Sequence, residues 1–266
     1  MRGFIMVKGA VGLAVCSWLA SAGNVLAQIT VSNTPVADAF VRSADPAGNY
    51  GGAGALEVSG LIATNASGVQ QGQFDSFMRF DVSSEVAMFN SNFGTGNWAI
   101  SSATLKLTEV GAPGNAVFNR GVGQFQVQWV ANDPWIEGTG NPGATTTNGI
   151  VWNDEATVLA DSQSLLGTYS NAGANGLRTL TLGTPSAFIN DISAGGLVSF
   201  YLSPTTNSTV GFNFNSRSFG TASAQPFLVL TAVAVPEPTT LGLVGFSMLA
   251  LVASRRRWKS KHAAAD

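Results

Sequence analysis

The sequence predicts an all-β domain built as an antiparallel β-sandwich. Three observations predict it: short runs in which apolar and polar residues alternate, turns rich in Gly, Asn, Ser and Thr, and a single short segment with helical spacing. The sandwich is assigned to residues 28–234, between two hydrophobic terminal segments.

Taken in order, Phe74, Met78, Phe80 and Val82 form an apolar set interleaved with Asp75, Arg79 and Asp81. Leu105 and Leu107 lie between Thr104, Lys106 and Thr108. Phe125, Val127 and Trp129 alternate with Gln124, Gln126 and Gln128, and Val210, Phe212 and Phe214 with Gly211, Asn213 and Asn215. Such alternation puts one face in the core and one in water. Residues 197–202 and 227–234 are more continuously apolar, as central or doubly covered strands are. The helical segment is 187–192, with Ser186 as its N-cap and Gly195-Gly196 as its stop. Stretches 60–72, 90–97 and 138–149 read as surface loops, and the two ends of the domain as neighbouring strands. No repeat of constant period appears, which argues against solenoids and propellers.

Composition excludes several functions. Residues 28–235 hold six cationic side chains (Arg42, Arg79, Lys106, Arg120, Arg178, Arg217) against thirteen acidic ones, a net of −7 hidden inside the whole-chain −2. An acidic exterior argues against nucleic acid, whose phosphates demand a basic face. The one cysteine, Cys16, lies in the first terminal segment, so the domain has no disulfide and depends on apolar burial. The one histidine, His262, lies in the last residues; Ser-His-Asp, Cys-His and His-zinc chemistry are thereby excluded from the domain.

The N-terminal segment has the three zones of an export signal: Arg2 and Lys8, the apolar run 9–20, and small residues ending in Val25-Leu26-Ala27. It is assigned as a signal peptide (1–27) cut by signal peptidase between Ala27 and Gln28. A lipoprotein reading at Cys16 fails because Val15 is bulky where a small residue is wanted. At the other end Val235-Pro236-Glu237-Pro238 precedes an apolar run, 239–253, and then Arg255-Arg256-Arg257-Trp258-Lys259. As a helix at roughly 1.5 Å per residue that run spans about 22 Å, marginal against a hydrocarbon core of about 30 Å. The basic cluster places its own side, and the tail 260–266, in the cytoplasm and the domain outside.

This order resembles the PEP-CTERM sorting signal of exopolysaccharide-producing Gram-negative bacteria, also catalogued as an ice-binding protein C-terminal region. The resemblance covers residues 235–259 and implies recognition of Pro236, Glu237 and Pro238 by an exosortase, with Arg255, Arg256 and Arg257 as the cytoplasmic stop. It implies export across the inner membrane, a transient membrane anchor in 239–253, and a final place at the cell surface or in the extracellular matrix.

A second resemblance runs through the body. Ala37-Asp38-Ala39-Phe40-Val41-Arg42, Asn49-Tyr50-Gly51-Gly52, Ser76-Phe77-Met78-Arg79-Phe80-Asp81 and Trp135-Ile136-Glu137-Gly138 before Trp152-Asn153 look, in serial order, like DNRLRE domains. That resemblance implies a jelly-roll-like sandwich, non-catalytic and associated with polysaccharide.

Aromatic faces can stack on the C–H face of a pyranose. Trp129 belongs to an apolar strand face and reads as core, while Tyr50, Trp98, Trp135 and Trp152 are the candidate ligand contacts. Tyr50 and Trp98 sit in turn-rich sequence and are expected to be the exposed platforms. Asp38, Asp133 and Glu137 are the candidates for a structural calcium, which takes hard oxygen ligands; no other cofactor is expected. Two carboxylates can cleave a glycosidic bond without histidine, and Glu137 with Asp133 or Asp154 is the one suggestive grouping. Thr145-Thr146-Thr147 is a single run and no threonine lattice for ice. The expected function is non-enzymatic binding of polysaccharide by an exported surface protein; the alternatives are an adhesive protein with protein partners and a two-carboxylate glycosidase.

Overall fold

Strand formation follows the alternation of the sequence closely. The computed structural model describes residues 26–111, 118, 123–171, 175–205 and 211–235. Most of the signal peptide lies outside them, as do Pro236, Glu237, Pro238, the run 239–253, Arg255, Arg256, Arg257 and the tail. In chain order the strands are β1 (Gln28–Asn33), β2 (Ala37–Arg42), β3 (Ala55–Ser59), β4 (Phe74–Asp81), β5 (Trp98–Glu109), β6 (Gly123–Val130), β7 (Gln163–Asn171), β8 (Gly176–Leu182), β9 (Leu197–Pro204), β10 (Gly211–Asn215) and β11 (Phe227–Ala234). Three short helices interrupt them: α1 (Ser83–Phe93) after β4, α2 (Trp152–Val158) after β6, and α3 (Ser186–Ala194) after β8.

Every strand pairing is antiparallel, and the result is sandwich-like. One layer runs β1-β11-β5-β8 and the other β2-β4-β9-β6-β7, with the β3–β10 pair joining them. Between the layers lies the main core, where Leu105 and Leu107 of β5 and Leu228 and Leu230 of β11 meet Met78 and Phe80 of β4, Phe125 and Val127 of β6, and Phe200 of β9. The first and last strands pair along their whole length, Gln28 opposite Val233, so the two ends of the domain meet as expected.

The structure corrects several local expectations. Two helices beyond the expected one are present. In α1, Val86 and Phe89 stand three residues apart and both enter the core, a spacing diluted in the sequence by Ser and Asn. The expected loop 90–97 therefore begins inside α1, which stops at Gly94 with φ +86°. The helix expected at 187–192 spans Ser186–Ala194, with Pro185 rather than Ser186 in the cap position. In β9, Val198 to Leu202 are buried on both faces as expected, whereas β11 alternates, with only Leu228, Leu230 and Ala232 buried. β4 departs furthest: Asp75 and Phe77, on the face expected to meet water, are fully buried.

Candidate functional site

The burial of that second β4 face builds the site. Register sets Phe77 opposite Ala39 and Tyr201, and Arg79 opposite Ala37 and Ser199. The small β2 residues leave room above the sheet, and the excursion 131–162 between β6 and β7 folds back into it. Trp135, Ile150 and Val158 of the excursion pack on Ala37, Ala39, Val41, Phe77, Val130 and Tyr201 as a second core.

Polar contacts fix the excursion at three places. Trp135 donates its indole N–H to Ser199 Oγ at 3.1 Å, and the Arg79 guanidinium lies 4.9 Å from the centre of its ring. Arg79 Nη1 also donates to the carbonyls of Asp133 and Trp135, the latter at 2.6 Å. At the second place the buried Asn49 side chain donates to the carbonyls of Glu137 (2.7 Å) and Ile150 (2.8 Å) and accepts from the N–H of Gly51 and Gly140. At the third, Tyr201 Oη stands 2.9 Å from Asp75 Oδ2 and 2.9 Å from Glu155 Oε1, which ties α2 to β9 and β4.

A groove of about 550 Å³ opens between this excursion's own segments. Its apolar wall is Trp135, Ile136 and Val158, and its polar groups come from Asn132, Asn148 and Asp154. Ile136 is 66% exposed at its rim, an unusual position for so large an apolar side chain held between two anchored neighbours. Burial dominates the electrostatics beneath. It pushes Asp133 up to about 6 and raises Asp75, next to the Glu155 carboxyl, well above the ordinary carboxylate range. Glu155 is raised by the same cause.

The structure brings some of the sequence-predicted residues together and separates others. Trp135 lines the groove but is only 6% exposed, so it offers an edge rather than a platform. Trp152 opens α2 and is half-buried against the second core. Tyr50 is a correction: it is 3% exposed, stacked on Phe40 at 4.5 Å, and its hydroxyl donates to Asp45. A phenol in a turn-rich segment is buried here because Phe40, Phe74 and Phe118 surround it in a third apolar cluster. Trp98 is half-buried against Phe89 of α1 and donates to Asn90 Oδ1 at 2.8 Å, away from the groove.

The calcium candidates do not converge either. Asp38 and Glu137 share Arg217: Asp38 accepts its backbone N–H at 2.6 Å, and Glu137 forms a two-pronged ion pair with its guanidinium. Burial pushes Asp38 up to about 7. Asp133 stands apart, beside Arg79 and Ser199. Among the described residues no group of three or more acidic side chains could hold a metal ion. The suggested glycosidase acids are engaged likewise, Glu137 with Arg217 and Asp154 with the N–H of Val151 at the start of α2. Sequence reading missed Asn49, Asp75, Arg217 and Tyr201, whose bonds across the domain join residues 46 to 179 positions apart.

The family comparison bears on the C-terminal segment. Residues 234–257 match the PEP-CTERM protein-sorting motif. The chain carries a sorting signal. The PEP-CTERM motif marks an exported protein that an exosortase processes during membrane-associated sorting toward the cell surface. Among the described residues no helix is long and apolar enough to cross a membrane; the run 239–253 lies outside them. No curated protein matches the chain. Among solved structures, a cryo-EM structure of a semi-empty virus-like particle of the giant freshwater prawn Macrobrachium rosenbergii nodavirus is similar, at 12% identity. The likeness covers 88% of this chain and 95% of that one with a TM-score of 0.23, too low to support any inference.

Proposed function

We propose that this is a non-enzymatic surface or matrix protein of a Gram-negative bacterium whose DNRLRE-like, jelly-roll sandwich binds extracellular polysaccharide in the groove beside Trp135. The observation that carries the reading is the make-up of that groove. An apolar wall with Ile136 at its rim faces amide and carboxylate groups of Asn132, Asn148 and Asp154, which suits a pyranose with one C–H face and a girdle of hydroxyls. An open groove with few anchoring groups fits a polymer held by repeated weak contacts. The blocks behind the DNRLRE resemblance support it, since Asn49-Tyr50-Gly51-Gly52 and Trp135-Ile136-Glu137-Gly138 are the segments stitched together under the groove.

Full-length protein in detergent, applied to a glycan array and pelleted with polysaccharide from its host, tests the proposal. Binding that falls at least tenfold in Ile136→Asp and Asn148→Ala supports it; no binding to any polysaccharide, or binding untouched by both changes, overturns it.

A further inference from the structure

The triad under α2 has too few protons for its hydrogen bonds. Tyr201 Oη stands at 2.9 Å from one oxygen of Asp75 and at 2.9 Å from one oxygen of Glu155, yet a phenol carries a single hydrogen. It can donate to one carboxylate only. The other contact is a hydrogen bond only if that carboxyl is itself protonated and donates to the phenol oxygen. Direction follows from Gln73, whose amide Nε2 donates to the same Asp75 Oδ2 at 2.8 Å. Asp75 Oδ2 thus accepts from Gln73 and Tyr201, so the one proton the pair needs sits on Glu155 Oε1 toward Tyr201 Oη or on the unpartnered Asp75 Oδ1, the carboxyl that burial raises further.

Among the described residues no cation is bound to either carboxyl. Asp75 is fully buried, and both Asp75 Oδ1 and Glu155 Oε2 are buried without a hydrogen-bond partner. The groups facing the pair are Tyr201 from β9, Gln73 from the approach to β4, and the two carboxyls themselves. Arg42, next to the Val41 that pairs with Asp75, is bound to Gln71; Arg79 on the same sheet face is bound to the carbonyls of Asp133 and Trp135. Asp154, adjacent on α2, is turned to the N–H of Val151. Two unscreened buried carboxylates this close repel strongly, so the pair needs one proton.

We propose that Asp75 and Glu155 share one proton through Tyr201 and form a latch that holds α2 on the sheet only while that proton is bound. Loss of the proton leaves two anions against one phenol hydrogen. Glu155, on the surface-facing helix, then swings outward and α2 lifts from β9. Because Asp154, Thr157 and Val158 of α2 line the groove, the latch also controls the groove's width. The latch itself needs no ligand; only this last consequence rests on the polysaccharide reading, so the two can fail separately.

Hydrogen exchange of the full-length protein, followed across pH and corrected for intrinsic rates, tests the latch without any polysaccharide. Above the pair's upper ionisation the opening of α2 should grow about tenfold per pH unit, as release of one proton requires, while β6 and β9 stay protected. Glu155→Gln removes one of the two ionisable groups while keeping an N–H for the Tyr201 oxygen, and should keep α2 closed at every pH. Carbon-13 titration of the Asp75 and Glu155 carboxyls gives a second readout that needs no variant: the pair should titrate in two steps, one of them above the ordinary range. Equal α2 protection at all pH values in the unsubstituted protein, or two carboxyls that both titrate near 4, overturns the proposal.

Discussion

The side chain of Asn49 occupies the space that a Cβ on Gly138 would need: a methyl group built there would stand 2.2 Å from Asn49 Oδ1. The two residues are 89 positions apart, and their contact locks the excursion 131–162 to the rest of the domain. Gly138 also has φ +77°, a region that L side chains rarely adopt. Gly138→Ala therefore meets a clash and backbone strain together, and it should lower stability by roughly 2–4 kcal/mol. Denaturant unfolding checks the size, and protease cleavage within 138–149 in the variant checks the place.

Asn49 itself forms four side-chain hydrogen bonds, two as donor and two as acceptor. Asn49→Asp keeps the shape and both acceptor contacts but cannot donate to the carbonyls of Glu137 and Ile150. A buried charge beside two carbonyl oxygens should cost roughly 3 kcal/mol or more, at least as much as Asn49→Ala. A midpoint shift for Asn49→Asp smaller than that for Asn49→Ala would contradict the donor role.

Trp135 and Ile136 are neighbours with opposite duties, and their substitutions should separate. Trp135→Ala removes a ring packed on Phe77 and Arg79 and a hydrogen bond to Ser199, a loss of roughly 3–5 kcal/mol. Ile136→Ala trims a side chain that is mostly in water and should leave the unfolding midpoint within about 0.5 kcal/mol. Measured side by side, a large stability loss from Ile136→Ala would show that the rim is structural.

How much of this was legible in the residues varies by element. The inward faces of β5, β6 and β10 followed from alternation because each strand has one partner layer. The outer face of β4 was not legible, since Asp75 and Arg79 between apolar residues are what a wet face also shows. What hides them is a segment more than fifty residues later, and alternation carries no information about such long-range covering. Trp135 illustrates the same limit. Its position beside a polar loop allowed either a ligand contact or packing of the loop on the sandwich, and the Ala37 and Ala39 opposite β4, which make a slot into which an indole fits, decide for packing. Asp38 and Glu137 were read as calcium candidates, and Arg217 was not seen as the cation that joins them.

Stability should depend on pH in the sense opposite to that of a salt-bridged domain. Burial holds Asp38 up at about 7 and Asp133 at about 6, while the same groups ionise near 4 in an unfolded chain. Between about pH 4 and about 7 the folded protein therefore binds more protons than the unfolded one, and its stability falls as pH rises. The contribution is complete below the unfolded values and lost above the folded ones. Thermal unfolding at constant ionic strength should give a higher Tm at pH 5 than at pH 8. Asp38→Asn should flatten the upper part of that slope, because the amide cannot ionise; a Tm that rises from pH 5 to pH 8 would contradict the assignment.

The sorting motif makes a prediction that the fold constrains. β1 begins at Gln28, directly after the expected signal-peptide cut, and β11 ends at Ala234, directly before Val235-Pro236-Glu237-Pro238. The bond from Ala234 N–H to the Ala27 carbonyl goes with the signal peptide, and the last one that remains, Val235 N–H to the Asn97 carbonyl, precedes Pro236, which has no N–H to continue a ladder. Removal of everything beyond Val235 should therefore cost the folded domain almost nothing. Mass spectrometry of the protein recovered from its host should find an N-terminus at Gln28 and no residues from Arg255 to Lys259. Glu237→Ala should leave the basic segment attached and the protein in the membrane fraction. A native product that still carries Arg255 to Lys259 would mean that the C-terminal run serves as a lasting anchor instead.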